Sequence, residues 1–195
     1  MALAISWELH TVEEAGYSTW ASLATSPSGA IAVAYFSSLN HALRYAQLGT
    51  GATWALETVD TVFGDCAPSL TFRLGRPCVS YGATTYPDGD TANPLRELRY
   101  AARGAAGTAW RKARAAATDA RDSSIAIDSS HHSALSYCDK DRAVAYTRPD
   151  SSLSVWVGSA IDVPETGRFN TAAFDAADRL AVANSARENG TDWIR

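Results

Sequence analysis

The sequence is short of the residues that staple small proteins or anchor membrane ones. Three cysteines, Cys66, Cys78 and Cys138, in 195 residues are too few and too odd in number for a disulfide framework. No CxxC pair or Cys/His spacing reads as a zinc site. No apolar run approaches the ~20 residues that span a bilayer. The opening MALAISWELHTVEE lacks the basic start and apolar stretch of a signal peptide, so a cytoplasmic protein is expected. Positive charge is scarce too: 17 Lys and Arg stand against 21 Asp and Glu, a balance that argues against nucleic acid or an anionic membrane as partner. G-x-S-x-G, a phosphate loop and HExxH are all missing. No catalytic residue is assigned on a motif, and no cofactor or metal is expected.

What the sequence does have is a repeat, which takes precedence over other signals. Trp7, Trp54, Trp110 and Trp156 are spaced 47, 56 and 46 residues apart. Each opens a strand-like segment, d: WELHTVE, WALETVD, WRKARAA and WVGSAID. Three further segments follow each one. Segment a contains Leu23, Leu70, Ile125 or Ala172; segment b contains Val33, Val79, Leu135 or Val182; segment c reads HALRYA, RELRYA, RAVAYT or GTDWIR. The long interval holds one insertion, TTYPDGDTANP, at residues 84–94. The a–b links have hairpin turn chemistry in the first two copies, at Ser28-Gly29 and Leu74-Gly75-Arg76; around His131 and Asp178 they lack glycine.

Residue size alternates along segments a and b. Large Leu23, Leu70, Ile125, Val33, Val79, Leu135 and Val182 sit between small Ser22, Ser69, Ser124, Ala32, Cys78, Ala134 and Ala181. Alternate side chains point to opposite faces of a strand, so each sheet has one bulky face and one small-residue face, neither of them charged. A two-layer sandwich would leave one face polar. Sheets that bury both faces, bulky against small, pack at native density when stacked radially. The expected fold is therefore all-β: a four-bladed β-propeller of four-stranded antiparallel blades. Blade 1 covers about 17–60, blade 2 about 65–116, blade 3 about 121–162, and blade 4 about 168–195 plus 5–13, in one domain over 1–195. If residue 195 ran on into residue 1, Trp156 and Trp7 would be 46 apart, so the N-terminal strand is expected to close the ring and cover its edges. An open array, or half of an eight-bladed ring made by two chains, fits the same repeat.

The pattern SLxF, then GxPxxSY, LRYA and W, clearest in PSLTFRLGRPCVSY…LRELRYA…W at residues 68–110, resembles a repeat of bacterial β-propeller proteins. It is only distantly similar to sialidase or tachylectin blades, and the sialidase Asp-box is missing. Departures gather in the last copy, where Asn184 takes the place of the segment-b tyrosine and Trp193 is read in place of the segment-c tyrosine. The fold hosts lectins, scaffolds, hydrolases and lyases, so the resemblance says little about activity. It implies that the d–a and b–c loops gather at one end of a central channel and that ligands bind there. Carried over by position, the candidate ligand-binding residues are Tyr17, Asp65, Tyr86, Arg121, Asp122, Arg168, Asn170 and Asn184. Ordinary solvated turns explain most of them equally well, and Tyr35, Tyr81 and Tyr137 read as core. Asp88-Gly89-Asp90 in the insertion has two carboxylates, but too few oxygens in sequence for a calcium loop. Cys78 reads as a buried, inert thiol, and Cys66 as the one cysteine on a loop.

Two functions follow. One is a binding module for a small polar molecule, a glycan or a protein at the channel mouth, acting as a monomer or homodimer. The other is a small lyase, isomerase, cyclase or hydrolase in which a loop carboxylate such as Asp65 or Asp122 acts with a tyrosine or arginine.

Overall fold

The computed structural model describes residues 8–14, 16, 18, 20–63, 67–86, 92, 94–104, 109–139, 144–149, 155–161, 168–188 and 191–194. They form four antiparallel sheets in chain order. The first holds β1 (Ala21–Thr25), β2 (Ile31–Ser37), β3 (Ala42–Leu48) and β4 (Trp54–Thr61). The second holds β5 (Ser69–Arg73), β6 (Arg76–Thr85), β7 (Leu95–Arg103) and β8 (Trp110–Ala116). The third holds β9 (Arg121–Ile127), β10 (Ser133–Cys138), β11 (Val144–Pro149) and β12 (Trp156–Ala160). The fourth holds three strands, β13 (Arg168–Phe174), β14 (Leu180–Glu188) and β15 (Thr191–Ile194). Each sheet is a meander, so segments a, b, c and d lie side by side in sequence order, and the architecture is propeller-like.

The a–b turns that lack glycine form by another route. In the first hairpin Gly29 takes the left-handed conformation (φ 85°), and Ser26 Oγ accepts the amide of Ala30 at 2.9 Å. In the third and fourth, His131 (φ 65°) and Asp178 (φ 57°) take that place. Asp128 and Asp175 replace the serine, accepting the amides of His132 and Arg179 at 2.7 and 2.9 Å. A carboxylate at the turn's first position offsets the cost of left-handed backbone at a residue with a Cβ.

The sheets pack as the alternation of sizes requires. The small face of the first sheet, with Ala32 and Ala34, meets Leu70, Val79 and Tyr81 of the second. The small face of the second, with Cys78 and Ala102, meets Ile125, Leu135 and Tyr137 of the third. The tryptophan opening strand d lies on the segment-c tyrosine of the preceding sheet: Trp110 on Tyr45 at 5.3 Å between ring centroids, and Trp156 on Tyr100 at 5.1 Å. Along the inner strands one hydrogen bond recurs at each junction. The amides of Leu70, Ile125 and Ala172 donate to the hydroxyls of Ser22, Ser69 and Ser124 at 2.9, 3.2 and 3.0 Å. The small residue of the pattern is thus serine because it ties sheet to sheet while leaving room for the neighbour.

Two expectations change. Ser185 pairs with Ile194 where Phe36 pairs with Leu43, Gly82 with Leu98 and Cys138 with Val144. Ile194 therefore matches Leu43, Trp193 stands one position before it, and the tyrosine slot falls beyond Arg195; Trp193 does not replace the tyrosine. The expected N-terminal strand is not one over its described part, because residues 8–14 have no strand structure; Trp7 lies outside the described residues.

Candidate functional site

The four first strands begin at one end of the molecule. The residue two before each conserved-size serine or threonine of the repeat is Trp20, Ala67, Asp122 or Phe169. Ala67, Asp122 and Phe169 have left-handed backbone (φ 35°, 50° and 52°), which turns the chain as it enters each strand. Successive inner strands touch through the serine hydrogen bonds. At this end Trp20, from the first sheet, reaches Phe169, from the last, with ring centroids 6.3 Å apart. Both rings face solvent: Trp20 is 38% and Phe169 63% exposed. Large aromatics left open to solvent side by side can serve as a platform for a flat apolar surface.

Polar groups gather around the same loops. Asp119 accepts Arg96 at 2.7 Å and Arg121 at 3.1 Å. Partial burial pushes its carboxyl pKa up, but the two guanidiniums outweigh that and hold it below the ordinary aspartate value. Arg121 itself is largely exposed. Asp122 is half-buried, and its backbone carbonyl accepts the side-chain amide of Asn170. Asn170 Oδ1 accepts Ser136 Oγ at 2.5 Å. The equivalent junction one sheet earlier pairs Ser80 with Ser123 at 3.1 Å. Asn170 thus uses both ends of its amide to tie the fourth sheet to the third.

The remaining candidates lie elsewhere or outside the described residues. Tyr86 joins a row of rings on the loops of the first two sheets, 5.2 Å from Phe63, which is 5.4 Å from His41. Asn184 is buried in β14, its amide donating to Ser185 O at 3.3 Å. Tyr17 and Asp65 are not described, nor is the Arg168 side chain; Cys66 and the insertion's Asp88 and Asp90 are outside too. Among the described residues no group of three metal-ligating side chains converges. Cys78 is buried, and burial pushes its thiol up to about 12.

The strongest electrostatic centre is between the first two sheets. A bulge at Val59 puts Asp60 opposite Leu43, aiming its carboxylate at the second sheet. Asp60 accepts Tyr81 Oη at 2.8 Å, Arg99 at 2.7 Å and Lys112 at 2.6 Å. Burial alone would raise its pKa; Lys112, Arg99 and Tyr81 together hold it below 3.8. With the Thr61 amide as a fourth donor at 3.1 Å, the acceptor positions of the carboxylate are used, and the cluster fastens sheet to sheet.

Trp20 and Phe169 were not singled out from sequence. Trp20 breaks the tryptophan period, which is the signal that marks it. Phe169 lies between two residues that were chosen.

No family model matches the sequence, and no curated protein does. Among solved structures, the chain is similar to a glycosyl hydrolase from Bacteroides ovatus, with TM-score 0.50 and 14% identity over 88% of this chain and 61% of that one. It is also similar to a GH43 endo-arabinanase from Bacillus licheniformis, with TM-score 0.48 and 16% identity over 89% and 69%. The likeness is one of fold. The chain spans about three fifths of the Bacteroides ovatus protein.

Proposed function

We propose that this protein is a glycan-directed propeller whose binding site is the mouth bordered by Trp20, Asp122 and Phe169. The observation that carries the reading is the exposed Trp20–Phe169 pair, contributed by the first and last sheets at the point where they meet. A pyranose or furanose presents C–H faces that stack on such rings, and its hydroxyls need charged or amide partners at the edge. Arg121 and Asp122 stand on the same loops; Tyr17, Asp65 and Arg168 are proposed from their sequence positions as further contributors. In this reading the ring is closed, so the mouth is one asymmetric site and not four equal ones.

The Bacteroides ovatus neighbour, a glycosyl hydrolase, favours a catalytic form of this reading. Hydrolysis of a glycosidic bond commonly uses two carboxyl groups, one protonated to release the leaving group. Asp122 is the candidate carboxyl among the described residues, with Asp65, chosen from the sequence, as its proposed partner. The described carboxylates with displaced ionisation, Asp60, Asp119, Asp128 and Asp175, are all held low by basic or amide partners, which disfavours a proton-donor role for them.

The test is a panel of oligosaccharides, arabinan fragments among them, assayed for binding by calorimetry and for reducing-end release. Trp20→Ala is expected to weaken binding about tenfold or more. Asp122→Asn that abolishes release while retaining binding assigns catalysis; binding without release assigns a lectin-like module. Failure to bind any glycan in the panel contradicts both.

A further inference from the structure

We infer that the bulky face of the first sheet is a docking surface for an extended acidic segment, and that residues 8–14 of this same chain are its occupant. The inference is independent of the glycan reading.

It starts from a match between two junctions. Where the first sheet meets the second, Asp60 at the end of strand d accepts Arg99 and Tyr81, both on the bulky face of the second sheet. Arg44 and Tyr35 are their counterparts on the bulky face of the first sheet, paired with each other across β2 and β3 as Arg99 and Tyr81 are across β6 and β7. Their carboxylate is Glu13. Arg44 donates from Nε and Nη2 to the two oxygens of Glu13, each at 3.2 Å. Both side chains of the pair are more than four-fifths buried. A bidentate guanidinium–carboxylate pair sheltered to this degree fixes geometry as well as adding energy. In sequence, Glu13 stands six residues after Trp7, as Asp60 stands six after Trp54. The segment thus sits where strand d of a preceding sheet would sit, though it has no strand structure.

The seat is only partly filled. Tyr35 is buried against the Glu13 carboxylate, and burial and that carboxylate together push its phenol up. Trp54 Nε1 is buried without an acceptor, whereas its counterpart Trp110 donates to Glu57 at 3.0 Å. Leu23, the counterpart of buried Leu70 and Ile125, is 67% exposed. The face is therefore patterned to receive a neighbour, and its ionic end is the part already engaged. Over residues 8–14, which form no strand, the segment is held by side-chain docking.

A double-mutant cycle on the full chain tests this. Glu13→Gln and Arg44→Met are each expected to raise the unfolding equilibrium constant roughly tenfold or more, and their effects are expected not to add. Glu13→Asp, which places the Asp60 residue type in this slot, is expected to recover most of the loss. Light scattering of the wild-type chain should give a monomer. Additive effects, or Glu13→Gln within twofold of wild type, overturn the docking. A wild-type dimer that Glu13→Gln turns into monomers overturns the choice of occupant, since the segment would then come from a second copy.

Discussion

At the scale of single residues, the charges that matter most for stability are not the ones on the loops. Asp60 is buried with three donors converging on it, one from each of β6, β7 and β8. Removing its charge leaves Arg99 without its inter-sheet partner. Asp60→Asn is expected to cost about 3 kcal/mol at neutral pH. The sign of the pH dependence follows from the direction of the shift. Because the folded-state pKa lies below 3.8, the stabilisation is full above the ordinary aspartate value and is lost as pH falls through the folded one. Denaturant titrations of wild type and Asp60→Asn should therefore converge on acidification. A gap of constant size down to low pH would show that the loss is one of shape and not of charge. None of this cluster could be chosen from sequence, because Asp60 looks like any acidic strand end until the bulge at Val59 aims it at its neighbour.

At the scale of elements, the alternation of large and small residues carried most of the fold. Leu70, Val79 and Tyr81 mesh with Ala32 and Ala34 as their sizes require, and the tryptophan spacing marked each strand d. The serines of the small face have a second use that size alone did not reveal. Ser69 Oγ accepts the amide of Ile125 across a sheet junction, so Ser69→Ala leaves a buried amide unpaired. That change is expected to cost about 1–2 kcal/mol in chemical denaturation, more than the volume change accounts for. Ser69→Ala at wild-type stability would mean the junction is held by packing alone. The register of β15 was misread because GTDWIR fits RELRYA by eye, whereas the ladder from Ser185 to Ile194 shifts it by two. The mouth was legible only in outline. The loops were found from the family resemblance, but Trp20 stands outside the tryptophan period and carries no other signal of its own in the sequence, and departures from a repeat are where a symmetric scaffold becomes a specific site.

At the scale of the whole molecule, the sheets are tied in sequence order through their first strands, the first three mesh through unlike faces, and Trp20 of the first comes within 6.3 Å of Phe169 of the last. The same stacking rule that buries Leu70 and Ile125 on the second and third sheets leaves Leu23 on the bulky face of the first exposed, while Glu13 pairs with Arg44 on that face. The proposed glycan site is put at this end because the exposed rings of Trp20 and Phe169 stand there next to unlike polar residues. A competing location exists: a shallow groove at the outer rim, lined by Glu57, Trp110 and Lys112. The indole N–H resonances distinguish the two directly, since each tryptophan gives its own signal. On titration with the oligosaccharide that binds best, the account predicts that the Trp20 indole signal moves while those of Trp110 and Trp156 stay in place. Movement of the Trp110 signal with Trp20 unchanged would put the glycan on the rim and contradict it.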